Sequence, residues 1–399
     1  MSRRLRLVVV GNGMLATRAL AEVTRAHPDA FEIRVIGAEP GPSYSRVLLS
    51  SWLAGDCSAG DLGLHDDAWY SARRIAVSSG DPVVAIDRAR RCVRTAAGDD
   101  VAYDHLLLAT GSRVAFPAIA GLERAGVYGF RRIADVAAWL AMPEVPTVVI
   151  GGGVLGVEAA YGLRRHAAPV TLVHGARHLM DRQLDPEAAA FVQARLAPFG
   201  IEWVFERRCV EVLGADTVRG LRLDDGRVLP ARRVIFATGI RPETGLARAC
   251  GLPCARGVVV DARMRTADPA ISAIGECAEQ DGTCHGLLAP LHDQVGYWLQ
   301  GLFDDGPVIA ALPVPQVRLK VPGIDLFVAG DTTSTDVERV VYRDGAAGVY
   351  RELRLRDGHL VGVRLCGDSS DAAACVDAIR GGTELGDRRF ELSTGCEAA

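Results

Sequence analysis

The sequence is poorest in lysine: Lys320 is the only one in 399 residues, so arginine supplies almost all of the 45 basic side chains. That excludes any catalytic ammonium group other than Lys320. Basic charge is not in excess either, because 49 acidic residues leave a net charge of −4, and nothing points to a nucleic-acid surface. Aromatic residues are sparse at 6%. No uninterrupted apolar run reaches the ~20 residues that a membrane-spanning helix needs. Ten cysteines are present, yet no two are spaced C-x-C, C-x₂-C or C-x₄-C. The nearest pair, Cys250 and Cys254, is a weak metal or disulfide signal, so no metal or iron–sulfur cluster held by this chain is expected. The apolar start, Leu7 to Val10, is too short for a signal segment and runs directly into glycine. A cytoplasmic protein with reduced thiols, folded into two or three domains, is therefore expected.

What the chain does contain is a strand, a glycine turn and a helix, in that order, twice. Leu5 to Val10 reads as a buried strand that meets Gly11-Asn12-Gly13-Met14-Leu15-Ala16 and then a helical pattern to Ala26. Gly11 permits the tight turn, Gly13 lets the backbone approach a pyrophosphate, and Ala16 is small enough for close helix packing. The helix N-terminus then offers free N–H groups to phosphate oxygens. A second strand pattern, Phe31 to Ile36, ends near Glu39, a carboxylate suited to ribose hydroxyls.

The order recurs at Gly151-Gly152-Gly153-Val154-Leu155-Gly156, after a strand pattern from Pro146 to Ile150. Here the next strand ends at His174-Gly175-Ala176-Arg177, without the acid. His174 and Arg177 favour a 2′-phosphate and so NADPH. NADH stays open, because histidine also bonds a ribose hydroxyl and Arg177 also reads as a solvated loop residue. Two nucleotide folds imply two cofactors, and FAD with NAD(P)H is the simplest pairing. Ala109-Thr110-Gly111 and Ala237-Thr238-Gly239 are matching turns, one for each unit. Gly275-Glu276 ends a late strand with an acid able to hold a ribityl chain.

These ordered motifs resemble the two-dinucleotide-binding-domain flavoproteins, the family of glutathione reductase, rubredoxin reductase and NADH peroxidase, over essentially the whole chain. The resemblance implies an α/β fold of two Rossmann-like domains plus a C-terminal α+β domain. An FAD domain would occupy residues 1–113 and 242–312, an NAD(P) domain 114–241, and an interface-like domain 313–399. It implies FAD contacts from Gly11, Gly13, Met14, Ala16, Glu39, Arg46, Ser50, Val83, Ala109, Thr110, Gly111, Arg113, Gly275, Glu276, Leu288 and Pro290. NAD(P) would lie against Gly151, Gly153, Val154, Leu155, Gly156, Glu158, His174, Arg177 and Gly239.

The segment expected over the flavin, from Tyr44 to Gly55, holds no cysteine, and the first thiol after it is Cys57. A dithiol relay or a sulfenic-acid mechanism is therefore disfavoured. Tyr44-x-Arg46-x-x-Leu49-Ser50-Ser51 is similar to the FAD portion of assimilatory NAD(P)H nitrite reductases, as are the segments from His174 to Asp185, Ile274 to Pro290 and Ala347 to Leu353. Rubredoxin reductases typically carry a lysine where Ser51 stands. Because the nitrite reductase large subunit continues into iron–sulfur and sirohaem regions, a standalone flavin module, or a relative recruited to another acceptor, is expected. The implied reaction takes hydride from NAD(P)H onto FAD and passes electrons to a separate redox protein or subunit, an iron–sulfur or sirohaem carrier. The alternatives are a rubredoxin or ferredoxin reductase serving an oxygenase, an NAD(P)H oxidase acting on oxygen or a small molecule, and a redox-sensing binding protein.

Two residues are the catalytic candidates. Glu158 projects from the first turns of the second nucleotide helix, and relatives pair such a glutamate with lysine; Arg46 is the substitute expected here. A helix N-terminal acid favoured by the dipole is the plainer reading of Glu158. Pro290 is expected to open a helix from Leu291 to Leu302 whose N-terminus stabilises negative charge on reduced flavin. His285 and His292 flank that turn as proton relays or as structurally bonded histidines. Cys277 reads as small-hydrophobe packing. From about Pro313 the pattern turns β-rich, with a short helix from Asp371 to Ile379 and a polar, loose tail around Ser393 to Cys396. A homodimer is the possible assembly that relatives suggest.

Overall fold

The computed structural model describes residues 4–304 and 314–395; Cys396 lies outside them. Two compact units emerge, Met1–Arg46 with Ala59–Arg113 and Ile240–Ala311, and Val47–Ser58 with Val114–Gly239 and Leu312–Ala399.

The first unit is built on a parallel sheet in the order Ile271–Ala273, His105–Leu108, Leu5–Val10, Phe31–Gly37, Ile75–Ser79. Leu7, Val8, Val9 and Val10 are all buried, which is what a strand covered on both faces requires. The Met14–Ala26 helix buries Ala16, Ala19, Leu20 and Val23, an i, i+3, i+4, i+7 stripe, and packs against the Leu288–Phe303 helix. The chain moves from Leu5–Val10 outward to Phe31–Gly37 and Ile75–Ser79 and then returns to its other side with His105–Leu108, a switch point of the kind at which open α/β sheets bind ligands. A smaller antiparallel sheet, Val83–Asp87, Cys92–Thr95 and Asp100–Ala102, belongs to the same unit.

The second unit repeats the design. Its parallel sheet runs Glu202–Phe205, Val170–His174, Thr147–Ile150, Arg233–Phe236, Val127–Gly129, again with the glycine-turn strand in the middle. The unit also holds an antiparallel sheet in the order Gln316–Arg318, Leu326–Gly330, His359–Cys366, Val349–Arg356, Glu338–Asp344. The α/β class expected from the motifs is the one observed.

Three local expectations change. Glu338–Asp344 is an edge strand that its charged, half-exposed residues concealed. The tail is not loose up to Gly395, because Arg388–Thr394 is a helix that buries Leu392 and Ser393. Helix Leu288–Phe303 begins two residues before Pro290, which is tolerated because the first N–H groups of a helix have no partner within it.

The antiparallel sheet is fastened to the helix Pro186–Leu196 by a buried charge cluster. Glu352, 0% exposed in its side chain, accepts from Arg339 (2.6 Å), Arg354 (2.9 Å) and Arg364. Asp185 caps the helix through the Ala188 N–H at 2.9 Å and also accepts from Tyr350 at 2.9 Å and Arg339 at 2.5 Å. Burial pushes the Glu352 carboxyl up, but the guanidinium groups of Arg339 and Arg364 outweigh it and hold it below the ordinary value of 4.5. Its stabilisation is therefore complete above that value and is lost as pH falls through the lowered one. Glu352→Gln should cost about 3–5 kcal/mol, because the two desolvated guanidinium groups of Arg354 and Arg364 lose their anion. A lower urea midpoint at pH 7, with a flatter acid limb than the parent, is the expected result; an unchanged midpoint would remove the cluster's role.

Candidate functional site

The first nucleotide turn is set by backbone contact. Gly11 has φ +104°, and a side chain on it would overlap the Ala109 carbonyl oxygen, so the strand end and the Ala109-Thr110-Gly111 turn touch directly. Gly13 caps the Met14–Ala26 helix, and among the described residues nothing beyond its chain neighbours lies within 4 Å of where its Cβ would stand. The first turn of that helix carries no acidic side chain, so its N–H groups are free to meet an anion. Ala16 is buried against the sheet. Thr110 ties its turn to the Glu243 carbonyl at 2.9 Å, and Gly111 has φ +67°.

Around this turn the other candidate residues fall into two groups. Glu39 follows the second strand and accepts from the Tyr44 hydroxyl at 2.7 Å and from Arg46, whose guanidinium also reaches the Tyr44 oxygen at 2.6 Å. Glu276 accepts from Ser112 at 2.8 Å, and the Gly275 N–H donates to Gln294 at 2.7 Å. Leu288 begins the Leu288–Phe303 helix, Pro290 is buried within its first turn, and that turn also lacks acids. Val83 starts a strand of the small sheet, and Arg113 is exposed. His285 and His292 are held below the usual histidine value by burial, so both rest neutral at pH 7. Cys277 is fully buried, its thiol on the Ile274 carbonyl at 3.2 Å.

The second turn copies the first. Gly151 has φ +114°, and a Cβ there would overlap the Ala237 carbonyl oxygen; one on Gly156 would overlap the Gly151 carbonyl. Gly153 caps the Val154–Arg165 helix with open space beside it, Leu155 is exposed, and Gly239 has φ +96°. The predicted phosphate ligands behave differently. The His174 ring accepts from the Gly152 N–H at 3.1 Å and faces Asp181 at 3.0 Å, so both nitrogens are engaged within the protein. Arg177 is 86% exposed and pairs with Glu206 at 3.0 Å.

Glu158 has a partner that the sequence did not suggest. Only 3% exposed, it accepts the Lys320 backbone N–H at 2.9 Å, while the Lys320 ammonium donates to the Val47 carbonyl at 2.6 Å. Burial raises the Glu158 carboxyl, and Lys320 with the adjacent Ser50 only partly offsets this. Arg46, expected to serve Glu158, spends its guanidinium on Glu39 and Tyr44. The signal for Lys320 was its rarity; nothing local tied it to a residue 162 positions away.

The residues suit dinucleotides. Both helix starts offer unneutralised N–H groups beside a cradle that a side chain at Gly13 or Gly153 would fill. Asn12 Nδ2 and Gln294 Nε2, in the first unit, are buried donors without an acceptor among the described residues. Two such turns, each at the end of a central parallel strand, define a two-nucleotide α/β protein. Residues 5–294 match the family model described as pyridine nucleotide-disulphide oxidoreductase, and residues 315–383 match the rubredoxin NAD+ reductase C-terminal domain. The chain belongs to the pyridine nucleotide-disulphide oxidoreductase family. FAD and NAD(P)H are the nucleotides that members of this family bind.

A nitrite reductase [NAD(P)H] of Bacillus subtilis is 39% identical over 368 residues, covering 92% of this chain and 46% of the relative. The chain thus spans about half the length of such nitrite reductases. The ferredoxin–NAD(+) reductase component of a biphenyl dioxygenase system of Paraburkholderia xenovorans is 31% identical, covering 88% of this chain and 87% of the relative. The crystal structure of a ferredoxin reductase for the CYP199A2 system from Rhodopseudomonas palustris superposes with a TM-score of 0.84 at 26% identity, covering 93% of this chain and 95% of that one.

Filling the first cradle should remove flavin without unfolding the protein, because Gly13 has φ −89°, a conformation open to any residue. Gly13→Val is expected to purify colourless, with the 450 nm to 280 nm absorbance ratio lost and a Tm equal to that of flavin-stripped parent protein. A fully yellow variant would refute the assignment.

Proposed function

We propose that the protein is an FAD-dependent NAD(P)H oxidoreductase that passes electrons to a separate redox protein or subunit, with nitrite-reducing machinery as the favoured acceptor. The observation that carries this reading is the segment after Glu39, which presents Tyr44, Arg46 and Ser50 but no thiol before Cys57. Electrons then leave without a dithiol relay in that segment, and in this reading an external carrier collects them. A second reading, a ferredoxin reductase for an oxygenase, draws support from a relative of that kind matched along 87% of its own length.

FAD, when bound, supplies the two-electron to one-electron conversion that links a nicotinamide to such carriers. The chain's own residues bind, orient and charge the site. We assign the FAD role to residues 1–113 and 242–312, the NAD(P) role to 114–241, and a covering role to 313–399. The N-termini of the helices at Met14 and Val154 hold the two pyrophosphates. Glu39, steadied by Tyr44 and Arg46, takes the adenosine ribose, and a carboxylate has lone pairs for both tasks. Glu276, bonded to Ser112, takes the ribityl chain. The start of the helix at Leu288 supports negative charge on the reduced cofactor. Glu158 offers a buried carboxyl within the NAD(P)-binding fold. With His174 bonded internally, discrimination of a 2′-phosphate falls to the exposed Arg177. A cytoplasmic location and a homodimer belong to the same proposal.

Mixing the purified yellow protein anaerobically with NADH or NADPH should bleach the flavin at 450 nm. Slow reoxidation in air together with fast reoxidation by a ferredoxin or a sirohaem subunit is the expected pattern. No bleaching with either nucleotide would sink the hydride-transfer reading, and fast reoxidation by oxygen alone would replace the acceptor reading with an oxidase.

A further inference from the structure

Asn12 stands between the two glycines of the first nucleotide turn, and its side chain abuts the end of the next strand: a Cβ on Gly37 would come within 3.1 Å of the Asn12 Cβ. One end of its carboxamide is taken. The Tyr70 hydroxyl, on the Asp67–Ala72 helix, lies 3.0 Å from Asn12 Oδ1 and 2.9 Å from Ser43 Oγ. Tyrosine has one hydroxyl proton and a carboxamide oxygen only accepts, so the proton goes to Asn12 and Ser43 donates to the Tyr70 oxygen. Tyr70 and Ser43 are 3% and 2% exposed, which shields these bonds from water. The carboxamide is thereby held with Nδ2 turned away from Tyr70, and that nitrogen is buried without an acceptor among the described residues. A buried donor left unanswered is costly, and an arriving acceptor removes the cost. The surroundings give the acceptor's class. The same position on Gly37 is 3.9 Å from the Glu39 carbonyl oxygen, and Ser43 precedes Tyr44, whose hydroxyl donates to the Glu39 carboxylate at 2.7 Å. On the other side Gly13 caps its helix with open space beside it. The amide therefore stands between the turn assigned to the pyrophosphate and the acid assigned to the ribose.

We propose that Asn12 recognises the adenosine diphosphate half of FAD, donating through Nδ2 to a ribose or phosphate oxygen, and that Tyr70, backed by Ser43, is its positioning residue. This rests on the reading that the first nucleotide turn takes FAD. The amide is oriented before the nucleotide arrives, so binding does not have to order it.

The test uses the full chain loaded with FAD, and the affinity is read from the flavin fluorescence released on dilution. Asn12→Asp keeps the oxygen that Tyr70 reaches but replaces the donor with a second acceptor, and should weaken FAD binding about a hundredfold; Asn12→Ala should weaken it about tenfold. Tyr70→Phe should weaken binding about threefold in the parent and leave the affinity of Asn12→Ala unchanged, because its effect runs through the amide. A merely structural tyrosine would give the same loss in both backgrounds. ADP and adenosine, used as competitors, separate the two oxygens: a loss confined to ADP assigns the phosphate, and a loss shared with adenosine assigns the ribose. FMN, which lacks the adenosine half, should bind the parent and the variants alike. Unchanged FAD affinity in Asn12→Asp would overturn the proposal, as would equal costs of Tyr70→Phe in the parent and in Asn12→Ala, or an FMN affinity that falls along with that of FAD. FAD retained by Gly13→Val would instead overturn the reading of the first turn, which separates the two failures.

Discussion

The fold depends on one backbone crossing, made twice. In each unit the first glycine of the nucleotide turn lies so close to the carbonyl of an Ala-Thr-Gly turn that a methyl group has no room, at Gly11 over Ala109 and at Gly151 over Ala237. That contact fixes where the central strand stops and the next strand begins, and hence where the helix N-terminus points. Each threonine then anchors its turn onward, Thr110 to the Glu243 carbonyl and Thr238 to the Ala115 carbonyl at 2.7 Å. In the second unit Gly156 lets the helix lie against Gly151 itself, whereas Ala16 in the first accepts a methyl's extra distance. The open cradles at Gly13 and Gly153 follow from these contacts rather than from side chains.

An arginine-rich chain uses its cations as scaffold. Arg351 bridges Asp368 and Asp371, and Arg364 divides its fork between Glu352 and the carbonyls of Gln183 and Thr332. The planar guanidinium suits such multiple attachment, since its five donors sit in fixed directions. An ammonium is compact and flexible, better placed against a single carbonyl, and the sole lysine is used in that way on Val47.

The glycine turns, the acid at Glu39, the Gly275-Glu276 strand end and the family itself were legible because each is local: a spacing of a few residues or a strand-to-helix change of period. Long-range partners were not. Lys320 and Glu158 are brought together only by the docking of the antiparallel sheet on the second nucleotide fold, and Ser112 meets Glu276 across 164 residues. The position of His174 after the strand suits a 2′-phosphate or a ribose hydroxyl. Its ring is instead absorbed by the Gly152 N–H and Asp181, a backbone geometry that residue identity does not encode. The edge strand Glu338–Asp344 escaped notice because edge strands are protected by the same charges that make loops look polar.

Two buried glutamates in the second unit carry the contrast that matters for chemistry. Glu352 and Glu158 are both removed from water, yet their carboxyls move in opposite directions from the ordinary value. Three guanidinium groups surround Glu352, so the attraction outweighs desolvation and the carboxyl is held below its ordinary value. Glu158 has one ammonium, itself bonded to Val47, together with a backbone N–H and a neighbouring hydroxyl, and desolvation prevails. A carboxylate ringed by excess cations serves as a structural anchor and does not respond to its surroundings. One balanced by a single cation changes protonation more readily when a neighbouring charge appears or leaves. That lone cation lies just past the Gln316–Arg318 strand, so the C-terminal segment takes part in the charge balance of Glu158. The lysine's scarcity in the sequence therefore has a physical consequence: no second ammonium exists to take its place.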